Sequence, residues 1–192
     1  MNLPNKLTVL RLILIPFYIF FLMTDFFSFT SHVALLIFIG ACLTDTFDGK
    51  IARKRNLVTD FGKFADPLAD KILVMSSMIC FVALGKLPFW VCIIILAREF
   101  AISGFRLVIA GKGVVLAASY WGKFKTGFQM VMCGLMTFDF AGLCAGYNWP
   151  PVVSNIYNIV TIVVMYIALA LTIISLIDYF YKNRKAFTSG LK

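Results

Sequence analysis

Apolar runs of about 20 residues, the length that carries a helix across a bilayer, recur along almost the whole of this 192-residue chain. No other feature restricts its fold so strongly. Hydrophobic residues make up 61% of the sequence and charged residues only 14%, where soluble domains carry about 25%. The mean hydropathy of +0.91 agrees. The chain reads as an all-α integral membrane protein, one catalytic-sized domain spanning residues 1–192.

Hydropathy predicts six transmembrane helices, at 7–24, 31–53, 63–84, 87–110, 120–140 and 154–181. The breaks have their own chemistry: a polar and aromatic turn at 25–31, the tight Gly85-Lys86-Leu87-Pro88, and a longer connection at 142–151. Basic residues flank the first run, as in a signal peptide, but Met23-Thr24-Asp25-Phe26-Phe27 is too bulky for a cleavage site. We expect a retained first helix.

Charge sets the orientation. With six spans, one side of the membrane receives Lys6, Arg11, the basic run within 50–63, Lys112, Lys123, Lys125 and the tail Lys182, Arg184, Lys185 and Lys192; the other receives Lys86. The positive-inside rule then places both termini in the cytoplasm. The net charge of +9 becomes a collar against anionic headgroups and calls for no nucleic-acid partner. Cys42, Cys80, Cys92, Cys133 and Cys144 stand apart without a CxxC pair, so neither a zinc site nor a disulfide framework is expected. His32 is the lone histidine and no catalytic role is expected of it.

Against this background, four aspartates crowd the cytoplasmic ends of the second and third helices. Asp45 and Asp48 are spaced i, i+3, and Asp66 and Asp70 i, i+4, so each pair shares a helical face. Only nine acidic residues occur in the whole chain. Carboxylates gathered beside a membrane repel and are costly to bury unpaired. Divalent cations resolve both problems, and hard oxygen ligands without nearby Cys or His favour Mg²⁺ or Mn²⁺. Four carboxylates suit two ions, the arrangement that clamps attacking and leaving oxygens in phosphoryl chemistry. Gly49, Ala52 and Gly62 leave room for a ligand, and Arg53 is suited to phosphate.

The pattern Asp45-x2-Asp48-Gly49-x2-Ala52-Arg53-x8-Gly62-x3-Asp66-x3-Asp70 resembles the signature of the CDP-alcohol phosphotransferases. The resemblance implies a six-helix membrane fold, a homodimer, and displacement of CMP from a CDP-linked donor by an alcohol. It implies that Asp45, Asp48, Asp66 and Asp70 hold two Mg²⁺ or Mn²⁺ ions on the donor's pyrophosphate, that Asp70 also serves as catalytic base, and that Gly49, Ala52 and Arg53 line the CDP site. No residue suggests itself as a covalent nucleophile, so attack should be direct and in line.

Further segments are similar to one bacterial branch of the family: Asn2-Leu3-Pro4-Asn5-Lys6-Leu7-Thr8-x2-Arg11, Phe61-Gly62-Lys63-Phe64-x-Asp66-Pro67-Leu68-Ala69-Asp70-Lys71, Arg98-Glu99-Phe100-Ala101-x2-Gly104-x-Arg106 and Gly122-Lys123-x-Lys125-Thr126. That branch transfers the phosphatidyl group of CDP-diacylglycerol to sn-glycerol 3-phosphate, at the cytoplasmic face of the inner membrane. The similarity covers residues 2–130 and adds Asn5 and Thr8 to the CDP site. It also fits Arg11, Arg98, Arg106, Lys123 and Lys125 as cations for the acceptor's phosphate. The residues leave alternatives open at this stage. Asn5 and Thr8 suit a helix cap equally well, Arg98 with Glu99 an internal ion pair, and Lys123 with Lys125 the basic collar. Inositol phosphate, serine or phosphatidylglycerol remain possible acceptors. A transporter is disfavoured, because charge confined to one side of the membrane makes no route across it.

Overall fold

The computed structural model describes residues 3–24, 30–54, 60–110, 120–138 and 150–184, and the side chains among these other than 3–4, 45–54, 60–67, 70 and 107–110. Six helices make up nearly all of it: α1 Leu3–Met23, α2 Thr30–Lys54, α3 Asp60–Ala83, α4 Phe89–Ala110, α5 Tyr120–Thr137 and α6 Pro151–Lys182. Each predicted span corresponds to one of them, displaced by a few residues at most. Two, Asn5–Met23 and Pro151–Lys182, have the length and apolarity of a membrane span; α2 and α3 carry shorter apolar segments, Thr30–Thr44 and Lys71–Ala83. The difference has a chemical source, since the remaining turns of α2 and α3 hold the aspartate, glycine and lysine positions of the motif.

The turn after α3 shows why that helix stops where it does. Gly85 adopts φ 69°, the left-handed conformation open to glycine. Around it Gly85 N–H donates to Val82 O at 3.1 Å and Lys86 N–H to Phe81 O at 2.9 Å. These two bonds form a Schellman cap that satisfies the last carbonyls of the helix. The Lys86 ammonium then donates to Met136 O, 3.2 Å away, near the C-terminal end of α5. A cation there complements the helix dipole, which accounts for the one basic residue predicted on the far side.

Two compact units are present: Met1–Lys86 with Cys133–Tyr157, and Leu87–Met132 with Asn158–Lys192. In the first, α1 packs along both α2 and α3, while α2 and α3 touch each other sparsely among the described residues. Its core is built from Ile15, Tyr18, Leu22, Phe38, Leu73 and Phe81 with the small Ala34 and Ala41. Small residues let helix backbones approach closely where lipid removes the hydrophobic incentive to associate. Tyr18 spans this core, its ring 5.6 Å from that of Phe38 and its hydroxyl 2.9 Å from Thr137 Oγ1. In the second unit Val91, Ile95, Ile102, Met132, Met165 and Leu169 form the interior.

The outer surfaces are as apolar as the cores. Leu10, Ile13, Phe17 and Phe20 are all exposed on α1 at i, i+3, i+7, i+10, and Ile156, Ile159, Val163, Ile167, Ile174 and Ile177 are exposed along α6. A water-soluble monomer does not tolerate apolar surface on this scale. Lipid does.

Candidate functional site

The aspartate motif lies on two uninterrupted helices. Positions 45 and 48 share one face of α2, and 62, 66 and 70 share one face of α3, because both helices run unbroken through them. The side chains of Asp45, Asp48, Gly49, Ala52, Arg53, Asp66 and Asp70 themselves lie outside the described residues. Among the described residues no group of three or more metal-ligating side chains occurs.

Helix α1 carries a buried stripe whose character changes along its length. Thr8, Arg11, Ile15, Tyr18 and Leu22 follow one another at helical spacing, and with Asn5 all are buried. The first half of the stripe is polar and the second apolar. Since α1 begins at Leu3, Asn5 and Thr8 are interior helical residues, and the reading of them as caps is corrected. Arg11 is only 1% exposed; a cation so buried requires partners, and Asn5, Thr8 and Arg11 are each engaged in contacts. A short connection makes α1 and α2 antiparallel, and the Tyr18–Phe38 contact fixes their register. Counting equal rises from that pair brings Arg11 level with position 45 and Thr8 level with position 48 of α2. The polar half of the stripe therefore sits at the height of the first aspartate pair.

In the second unit the basic residues separate into two groups. Lys125 is 2% exposed and pairs with the Glu99 carboxylate. Arg98 donates through Nη1 to Glu99 Oε1 at 3.1 Å and through Nη2 to Ser175 Oγ at 2.9 Å. One carboxylate thus serves two cations, and the network joins α4, α5 and α6. Arg98 and Glu99 do form an ion pair, and the tether to a second helix runs through Lys125. Arg106 is exposed, shares a face of α4 with Glu99 two turns away, and lies within electrostatic reach of Arg98 and Tyr179. Lys123 is two residues from Lys125 and hence turned elsewhere. It is exposed, sits 5.6 Å over the Tyr120 ring, and borders an apolar groove of about 450 Å³ with Phe124, Gly127, Phe128 and Val131.

Ser175 and Tyr179 escaped the sequence reading. With Thr172 they extend the buried face of α6 as a polar stripe below Met165, Ala168 and Leu169. Their i, i+3, i+7 spacing within an apolar helix was the available signal.

Residues 1–174 match the CDP-alcohol phosphatidyltransferase family, and the chain belongs to it. It is 38% identical over 210 aligned residues to the CDP-diacylglycerol–glycerol-3-phosphate 3-phosphatidyltransferase of Bacillus subtilis, covering 98% of both chains. The Haemophilus influenzae protein of the same name is 39% identical over 185 residues, 93% of this chain and 91% of the relative. A probable phosphatidylglycerophosphate synthase of Mycobacterium tuberculosis is 40% identical over 183 residues, 93% of this chain and 79% of the relative.

Proposed function

We infer that this protein transfers the phosphatidyl group of CDP-diacylglycerol to sn-glycerol 3-phosphate, releasing CMP and phosphatidylglycerophosphate. The observation that carries the reading is near-full-length similarity to relatives named for that reaction, in a chain that retains the complete aspartate signature. The enzyme spans the bacterial cytoplasmic membrane with all six helices, faces the cytoplasm with its site, and acts as a homodimer.

The donor set of the motif fits a pair of hard divalent ions: four carboxylates, no sulfur or imidazole, each pair on one face of a continuous helix. Asp45, Asp48, Asp66 and Asp70 would hold Mg²⁺ or Mn²⁺, which neutralises pyrophosphate charge and stabilises departing CMP. Gly49 and Ala52 leave space for the nucleotide, Arg53 meets its phosphates, and Asn5 and Thr8 add polar groups at the level of the motif. Asp70 accepts the proton of the acceptor's hydroxyl as that oxygen attacks phosphorus in line. Of the cations assigned to the acceptor's phosphate, Arg98 and Arg106 have the strongest support, one held rigidly and the other exposed beside it.

The decisive assay is CMP release by purified protein from CDP-diacylglycerol, with glycerol 3-phosphate, inositol phosphate, serine or phosphatidylglycerol supplied separately. Release with glycerol 3-phosphate alone, abolished by EDTA and restored by Mg²⁺ or Mn²⁺, is the expected result. Release with another acceptor only would overturn the specificity and keep the family chemistry. In the same assay Arg106→Ala should raise KM for glycerol 3-phosphate by about ten-fold or more, the cost of one charge-assisted hydrogen bond, while KM for the lipid donor stays within about two-fold of wild type. The reverse pattern would remove Arg106 from the acceptor's site.

A further inference from the structure

Three buried hydrogen-bond donors in the second unit have no partner among the described residues: Arg98 Nε, Gln129 Nε2 and the Tyr179 hydroxyl. Buried polar groups in folded proteins are almost always satisfied, and each exception calls for an explanation. Two of the three, Arg98 and Tyr179, are neighbours. Arg98 lies on α4 and is bound through Nη2 to Ser175, one turn before Tyr179 on the same face of α6. Arg98 and Tyr179 interact electrostatically with each other and with Arg106.

The rest of the geometry fixes both donors rather than leaving them to find solvent. Glu99 and Ser175 occupy the two ends of the Arg98 guanidinium, so that side chain cannot rotate without losing two hydrogen bonds. Tyr179 is 5% exposed, and its ring stands edge-on to Phe105 with centroids 6.0 Å apart. Charge adds a sign to the group these donors suit. Arg98, Lys125 and Arg106 against Glu99 leave a net charge of +2 (three positive, one negative), and a phosphate monoester carries about −1.5 to −2 near neutral pH. Arg106, being exposed, marks the side from which such an anion enters.

We propose that Tyr179 is a specificity-determining residue that donates its hydroxyl hydrogen, together with Arg98 Nε–H, to the phosphate of the acceptor. The proposal rests on the reaction inferred above and assigns a ligand contact to α6, outside the segments from which acceptor residues were read. An acceptor without a phosphate, such as serine, leaves both donors unsatisfied and gains nothing from the charge. Selection against it then follows from the cost of orphaned buried groups.

Tyr179→Phe is the test, because it removes one oxygen and keeps the ring against Phe105. KM for glycerol 3-phosphate should rise about ten-fold or more, with KM for CDP-diacylglycerol and the thermal midpoint unchanged. A structural tyrosine would behave in the opposite way, lowering the midpoint and sparing the acceptor's KM. That outcome, or an unchanged KM, overturns the proposal. A second measurement needs no turnover. Glycerol 3-phosphate or inorganic phosphate should raise the thermal midpoint of the wild-type protein, and Tyr179→Phe should lose most of that rise. An equal rise in both proteins also overturns the proposal. Wild-type protein that is stabilised by phosphate in this Tyr179-dependent way, yet releases no CMP with glycerol 3-phosphate, would instead refute the inferred reaction and leave the phosphate subsite standing.

Discussion

Asp70→Asn is expected to reduce kcat by about 10²- to 10⁴-fold, the range a positioned general base contributes, while KM for CDP-diacylglycerol changes by less than about five-fold. The substitution keeps side-chain volume and one carbonyl oxygen, so a ligand to a cation is weakened but not deleted. What disappears is the basic oxygen that accepts the hydroxyl proton. Three other carboxylates of the signature remain for the donor's pyrophosphate. The measurement is steady-state CMP release over a matrix of both substrates, accompanied by direct binding of CDP-diacylglycerol to the variant. Parallel loss of donor binding and turnover would make Asp70 chiefly a metal ligand and leave the base to be found. Asp45→Asn provides the contrast, since a residue that only binds metal should lose donor affinity and turnover together.

The separate role of Asp70 came from the family resemblance, whereas the pairing of these aspartates on two helical faces was legible from spacing, because helical periodicity is a property of the sequence. Helix positions were legible for the same reason: long apolar runs tell where spans lie, and Gly85 tells where α3 must end. Facing partners were not. Lys123 and Lys125 look alike in the sequence, yet one borders an open apolar groove and the other is buried on Glu99. Nothing in the order of residues says which turn of α5 meets α4. Asn5 and Thr8 posed the same difficulty at the first helix, where capping and burial are both natural uses of small polar side chains. The helix start at Leu3 decides between them. Ser175 and Tyr179 were hidden by their surroundings, since two hydroxyls in a helix as apolar as α6 raise its polarity too little to register. They acquire meaning only when Arg98 is placed beside them.

The Glu99 network yields the second large effect, and its sign depends on which partner is removed. Glu99→Gln keeps a carbonyl oxygen for Arg98 Nη1 but removes the negative charge facing Lys125, and Lys125 is 2% exposed. Removing one member of a buried pair costs about 3–5 kcal/mol; the 16% exposure of the Glu99 side chain favours the lower figure. For a chain of this size that is a fall of about 6–12 °C in the thermal midpoint in detergent. Lys125→Met should cost much less, because Glu99 then retains Arg98 and the methionine fills the vacated space. The double variant Glu99→Gln with Lys125→Met should be nearly as stable as Lys125→Met alone, since the buried ammonium that faced the carboxylate is gone. Midpoints of the four proteins form a cycle whose departure from additivity measures the coupling. Strict additivity would mean that Glu99 and Lys125 contribute separately, and that α4 and α5 are held together by apolar packing rather than by this carboxylate.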